Sequence, residues 1–379
     1  MKIKLFFIGL MIPAFLFSQD AESSLGDFTL SNNSSPAFLL VEETPTSIYT
    51  PENLRALAIH ALDNLGQSIS IEFAPYFFIG KENRTYYNYV GLKTEDDSDF
   101  KADMKTSEIK QDIFSGALKT LSISGAYVDK EFAGIGDKRK TYSIGARTTL
   151  IRVYSNGSKK RIVDNATSLA KLLADFELSD DAFDRIENAA TDEEAQRILK
   201  EERKAFVKST DAQKKFQKTE KPAFRLDGAL GYSALFKNNN IDSGTANRFG
   251  SWLTAEASLI LNAGKDSKTN DYFNLFFTAR YVEDEFNLDT EGNFTTNYYR
   301  DFGVKGEFEF GRFAISYEYI SRNGTIDSER SVGNVKFVIN KDISIIGGFG
   351  KDFPENDNLI TIFGLNLGLN MGDNTVSLK

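Results

Sequence analysis

The run Phe302-Gly303-Val304-Lys305-Gly306-Glu307-Phe308-Glu309-Phe310-Gly311-Arg312-Phe313-Ala314-Ile315-Ser316-Tyr317-Glu318-Tyr319 decides the fold. Phe302, Val304, Phe308 and Phe310 alternate with Lys305, Glu307 and Glu309. After the tight Gly311-Arg312 link, Phe313, Ile315, Tyr317 and Tyr319 alternate with Ala314, Ser316 and Glu318. Period two is the mark of a β-strand with two different faces. In a soluble sandwich the apolar face turns inward and strands average about five or six residues. These segments run to about ten or more, the length a tilted strand needs to cross a bilayer.

The same pattern recurs outward from this hairpin. Leu253 to Leu261 alternates, as do Phe273 to Tyr281 and Leu359 to Leu369. Strands are predicted near 68–79, 115–127, 140–154, 222–236, 247–261, 271–282, 298–310, 312–322, 329–339, 342–351 and 358–370. Their odd number conflicts with the even count of a barrel whose two ends lie on one side. The segment 84–92, with Tyr86, Tyr87, Tyr89 and Val90, is the expected missing strand. The expectation is an all-β membrane protein: a closed antiparallel transmembrane β-barrel of about 12 strands, with 10 or 14 as alternatives. Tight links at 310–312 and 340–341 belong on the periplasmic side, and segments 237–246, 283–297, 323–328 and 352–357 on the other.

Composition agrees. The chain has 379 residues, with 32 Phe, 15 Tyr, 28 Gly, 7 Pro, one His and no Cys. Disulfides, thiolate metal sites and cysteine nucleophiles are excluded. No stretch of eighteen apolar residues follows residue 18, so a helical membrane bundle is excluded too.

Residues 1–18 read as a cleavable secretory signal peptide: Lys2 and Lys4, then an apolar run from Leu5 to Phe17, then Ser18. Without Lys2 and Lys4 the chain carries 43 basic and 54 acidic side chains. That sign disfavours nucleic acid as a partner. The expected location is the outer membrane of a Gram-negative bacterium, in contact with its lipid.

The remainder divides into an N-terminal arm, 19–66, a first group of strands, 67–155, an insert, 156–220, and the remaining strands, 221–379. In the arm, Asn32 to Pro36 mark a loop before the apolar run Ala37 to Val41. Thr50 and Pro51 open an expected helix whose face is Leu54, Leu57, Ala58, Ala61, Leu62 and Leu65. The arm is expected to dock in or under the barrel. The insert is helical and charged, with an apolar stripe at Leu169, Leu172, Leu173 and Phe176 and a capping box at Thr191 and Glu194. Strand parity puts it in the periplasm. It reads either as a contact surface for periplasmic or outer-membrane protein partners, or as helices that pack on their own barrel rim.

Several features carry a resemblance: the Phe17-Ser18-Gln19 end of the leader, Ser35-Pro36-Ala37-Phe38 in the arm, the Pro51 segment, and Ala74-Pro75-Tyr76-Phe77. In these the chain resembles uncharacterised outer-membrane barrel proteins of the Bacteroidota. The resemblance implies a location rather than an activity.

Chemistry is sparse. His60 sits beside the apolar stripe of the arm without polar partners, so no enzyme, catalytic residue or cofactor is expected. Acidic runs at Glu95 to Asp103 and Glu283 to Glu291 lack the spacing of a calcium loop, and solvated loops are expected there rather than a metal site. The functional lead is the set of predicted lumen-facing charges: Glu72, Arg147, Arg225, Asp227, Glu256, Arg280, Lys305, Glu307, Glu309, Glu318 and Lys336. Their signs nearly balance, which suits a packed lumen of paired charges better than an open, selective pore. The sequence therefore favours a structural or interaction platform. The alternative is a porin-like passive channel for small solutes gated by the arm, with an outer-membrane enzyme a distant third.

Overall fold

The computed structural model describes residues 35–41, 57–61, 68–78, 86–94, 105–114, 116–132, 135–174, 178–208, 220–237, 240–262, 270–340, 343–351, 353 and 359–367. The leader, 1–18, lies outside them.

One large antiparallel sheet dominates. Its strands are β1 (Leu57–Ala61), β2 (Ser68–Phe73), β5 (Ser122–Phe132), β6 (Gly136–Val153), β7 (Phe224–Phe236) and β8 (Thr245–Ile260). They continue through β9 (Tyr272–Leu288), β10 (Phe294–Phe310), β11 (Phe313–Gly324), β12 (Ser328–Asn340), β13 (Ile343–Lys351) and β14 (Leu359–Leu367). Each pairs with its neighbour in that order, giving twelve strands among the described residues. The end strands β1 and β14 approach to within 8 Å between Cα atoms. Among the described residues no hydrogen-bonded ladder joins them. No described helix is long and apolar enough to cross a membrane.

The two faces are inverted relative to a soluble protein. Phe302, Phe308, Phe313, Ile315 and Tyr317 are exposed, whereas Asp301, Lys305, Glu307 and Glu318 are buried. The turn at 311–312 works because Gly311 takes a left-handed φ of 59°.

Twelve strands result, but not the twelve read from the sequence. The described part of 84–92 does not join the large sheet: Tyr86–Val90 is a helix, α2, and Leu92 opens a separate small ladder. The added strand is β1, where the arm helix from Pro51 was expected. A short apolar run fits either period, and packing arbitrates. Leu57 to Ala61 pairs with Phe73 to Ile69 at the sheet edge. Tyr87, Tyr89 and Val90 instead enter a separate apolar core. The strand expected from 115 begins at Ser122, after a short helix α3 (Gly116–Lys119). The expected outer loop 283–297 is mostly sheet, with β9 and β10 leaving only 289–293 between them.

Because strands alternate in direction, segments 74–121, 154–223, 261–271, 311–312 and 341–342 share one end of the sheet. We call this the insert end and the opposite one the distal end. The insert comprises α4 (Asn156–Ala174), α5 (Asp180–Glu187) and α6 (Asp192–Lys208). Thr191 Oγ1 accepts the Glu194 N–H at 3.2 Å, and Glu194 Oε2 accepts the N–H of Ala190, also at 3.2 Å. The expected capping box therefore reaches back one residue further than the cap. Leu169, Leu172 and Leu173 lie in α4, but their side chains, and Phe176, fall outside the described residues. The packed face of α4 is Ile162 and Val163, which join Phe77, Tyr89, Leu92 and Ile109. Leu92 and Ile109 come from the small ladder of β3 (Leu92–Thr94) and β4 (Ile109–Gln111). This cap grips the end of β6: Gln111 Nε2 donates to the Arg152 carbonyl at 2.9 Å, and its Oε1 accepts the Tyr154 N–H at 3.0 Å.

Candidate functional site: the polar inner face and the buried arm

Ladder register sorts the inner face into rows that run across the strands. One row is Glu72, Ser124, Gly145, Gly231, Gly250, Val282 and Tyr299. The row on its distal side is Ser70, Ala126, Ser143, Ser233, Arg248 and Asp284. On its other side lie Ser122, Arg147, Ala229, Trp252, Arg280, Asp301 and Arg322.

Over the Ser124–Gly145–Gly231–Gly250 floor lies the arm. Its helical turn α1 (Pro36–Leu39) sits among buried residues, and Ser35, Ala37, Leu39, Leu40 and Val41 are each at most 1% exposed. The glycines make this approach possible. A Cβ on Gly145 would stand 2.6 Å from the Ala37 nitrogen and 2.8 Å from the Pro36 Cβ. On Gly231 it would stand 2.7 Å from a Leu40 methyl, and on Gly250 2.8 Å from the other. Polar contacts fix the register. Ser35 Oγ and Ser70 Oγ share a hydrogen bond of 2.9 Å, the Ala37 N–H donates to Ser124 Oγ at 3.2 Å, and Arg248 Nη1 donates to the Leu40 carbonyl at 2.9 Å. Arg248 is itself held by Asp284 through Nε and Nη2, at 2.8 and 2.9 Å. Leu39 and Leu40 pack on Ala229 and Trp252.

The predicted charges fall into groups on this face. Arg147 donates to Glu72 at 2.8 Å. Arg225 lies between Asp227, 2.9 Å from its Nε, and Glu256. Thr149 donates to Asp227 at 2.6 Å. Lys305 meets Glu307 at 2.9 Å, and Lys221 meets Glu309 at 2.5 Å. Glu318 faces Arg330 at 3.3 Å, and Arg280 pairs with Asp301. Lys336 is half-buried and acts electrostatically on Glu307.

Sequence reading missed Arg248, Asp284, Asp301, Arg322 and Arg330, all at most 5% exposed. The signal was present: Asp301 is one step before Phe302 in the alternation that defined the fold. Asp284 was passed over because the strand expected over 271–282 was ended too early, whereas Arg322 closes the expected strand 312–322 and continues its inward alternation from Glu318. The acidic run 283–291 is thereby reassigned. Asp284 is buried beneath Arg248, while Asp289 organises the turn by accepting the Asn293 and Glu291 N–H groups at 2.8 and 2.9 Å. Those backbone donors, Asn293 first, hold the Asp289 carboxyl below its usual range. The run Glu95 to Asp103 lies outside the described residues. His60 stands opposite Ser70 in the β1–β2 register rather than on a helix. Among the described residues no group of three or more His, Asp or Glu is placed to hold a metal ion.

In the cap, burial pushes the Tyr89 phenol up to about 12, opposed by the Arg152 guanidinium. Arg152 Nη1 donates to the Tyr89 carbonyl at 3.1 Å. Next to it, Phe114 and Leu118 are 70% and 83% exposed beside the apolar outer face.

No family model matches this chain, and no curated protein does. Among solved structures, a porin refined at 1.8 Å resolution aligns over 66% of this chain and 58% of its own length, at 10% identity and a TM-score of 0.26. A likeness at that score carries no argument. What defines the class is the chain's own sheet: long antiparallel strands with polar side chains buried on one face and apolar side chains exposed on the other.

Proposed function

We propose that this chain is an outer-membrane β-barrel, closed by β1 against β14, that acts as a passive conduit for small solutes and is held shut by its own arm. The exposed apolar face supports the membrane setting, since lipid is the solvent that tolerates it. The insert end, which carries the short links and both ends of the sheet, faces the periplasm in this reading. The observation that carries the conduit is the arm itself. Ser35 to Val41 lies buried against a polar-walled interior as a separate segment that, among the described residues, is not a strand of the sheet. Such a plug can leave while the wall stays intact.

The test is planar-bilayer recording. The full chain is expected to be silent, and a variant lacking residues 35–41 to conduct. A deletion variant that inserts and keeps its heat-modifiable migration, yet passes no current, overturns the conduit.

A second reading, the platform, draws on the insert. Phe183 on α5 is 57% exposed, and α6 begins with Asp192, Glu193 and Glu194. Under that reading the insert meets a periplasmic partner. Native-membrane purification under mild detergent that returns the chain alone, with the insert intact, argues against it.

A further inference from the structure

The outer face carries a depression. Two of its rows cross the strands from β6 to β10. One is Thr148, Gly228, Leu253, Ala279 and Phe302. The next, on its distal side, is Ala146, Leu230, Ser251, Tyr281 and Arg300. Ala146, Gly228, Ser251 and Ala279 have small side chains or none, so the surface sinks between the half-exposed Leu230, Leu253 and Phe302. The result is a groove of about 690 Å³ with an almost wholly apolar lining. It spans four inter-strand spacings, about 19 Å. A Cβ on Gly228 would lie 3.3 Å from a Leu150 methyl and 3.8 Å from a Leu253 methyl, so the missing side chain keeps the floor open between them. At the β10 end of the groove stands Arg300, which is exposed. Its guanidinium makes no hydrogen bond or ion pair among the described residues.

We infer that this groove holds one acyl chain of a phosphate-bearing membrane lipid, with the lipid's phosphate on Arg300. The inference rests on the membrane reading of the outer face and names a lipid bound at one place on it. Three observations converge. The first is position. Toward the insert end from Arg300, the exposed side chains of β10 are Phe302, Val304, Phe308 and Phe310. Toward the distal end the same face turns polar. The Tyr232 hydroxyl donates to Asn247 at 2.7 Å, and Glu285 accepts the Asn247 N–H at 2.9 Å. Arg300 therefore stands where the apolar band ends. The second is charge. A guanidinium at the edge of hydrocarbon calls for a counter-charge or water, and its planar fork matches two phosphate oxygens. Glu283, diagonal to Arg300 across the β9–β10 ladder, is engaged by the Tyr281 hydroxyl instead. The third is shape. A chain lying between Leu230, Leu253 and Phe302 meets protein below and on both flanks, and so gains more dispersion contact than one on a flat wall. Phosphate alone would leave the groove unfilled, and a chain alone would leave Arg300 without a counter-charge.

The test is native mass spectrometry of the full chain in a neutral detergent. It is titrated with dimyristoyl phosphatidylglycerol, with dimyristoylglycerol, which lacks the phosphate, and with inorganic phosphate, which lacks the chain. One phosphatidylglycerol should stay bound per chain, and the other two should bind about tenfold more weakly or less. Arg300→Gln removes a charge-assisted contact and should weaken phosphatidylglycerol binding about tenfold. Ala279→Phe keeps the charge but fills the floor, and should weaken binding severalfold. Arg185→Gln on the insert should leave it unchanged. Arg300 and Ala279 are both exposed, so the variants should keep the heat-modifiable migration of the barrel. If Ala279→Phe fails to fold, Ser251→Leu fills the same floor. Unchanged binding in Arg300→Gln or in the floor variant overturns the site, as does equal binding of dimyristoylglycerol. A chain that stays folded and monomeric without detergent overturns the membrane reading together with the site. A chain that needs detergent yet retains no phosphatidylglycerol overturns the site alone.

Discussion

Two segments pack against the large sheet, one at its insert end and one on its polar face, and they are held in different ways. The cap at the insert end is an aromatic and aliphatic core: Phe77, Tyr87, Tyr89 and Leu92 pack on Ile109, Ile162 and Val163. The arm is held by fit over glycine and by three described hydrogen bonds to Ser70, Ser124 and Arg248. A core of large side chains gains from every buried methylene, about 0.8 kcal/mol each. Among the described residues the arm's apolar contacts, Leu39 and Leu40 on Ala229 and Trp252 and Ala37 and Val41 on Ala126 and Val128, form two small clusters beside the larger core of the cap. Under the proposed function the cap is the permanent element and the arm the removable one.

The largest effect is expected from removing a cap side chain. Phe77→Ala should cost the cap about 3–5 kcal/mol, the range for deleting a buried aromatic ring. Limited proteolysis within 156–220 should then accelerate while the barrel keeps its heat-modifiable migration. If the barrel is lost with the cap, the two are one unit and the comparison fails.

Alkali should act next on the same core. Burial places the Tyr89 phenol at about 12, against an ordinary value of 10.0. Between those values the unfolded chain releases the proton and the folded cap keeps it. Stability contributed by the neutral phenol is therefore complete below pH 10 and falls as pH rises toward 12, by at most about 3 kcal/mol. Near-ultraviolet circular dichroism should fade over that window. A Tyr89→Phe variant should fade less.

Gly145→Ala should have a smaller cost, about 1–3 kcal/mol, but a more specific result. Its new Cβ meets backbone of the arm, so residues 35–41 must shift and the barrel should begin to conduct. Gly231→Ala meets first the end of the flexible Leu40 side chain, with the Pro36 carbonyl oxygen further off at 3.1 Å, and should leak less. Equal currents from the two variants would break the link between the glycine floor and closure.

The hairpin 302–319 was legible because alternation over long strands has only one reading: each side chain's face follows from its position. The same rule, carried one residue back from Phe302 and three residues on from Tyr319, shows Asp301 and Arg322 on the inner face. The count of twelve was reached by a different strand from the one expected. Tyr86 to Val90 and Leu57 to Ala61 are both short and apolar, and nothing local tells helix from strand. The edge of β2 drew the second into the sheet, and the aromatic core drew in the first.

Position in the chain determined the inverted faces, the long strands and the helical insert, because these depend on the period of hydrophobicity between near neighbours. It could not show that Ser35 to Val41 lies on Gly145, Gly231 and Gly250, or that Arg280 and Arg322 meet on Asp301. Those contacts join residues tens to hundreds of positions apart. Only the register of the assembled sheet, which sets distances across strands, decides which of them meet.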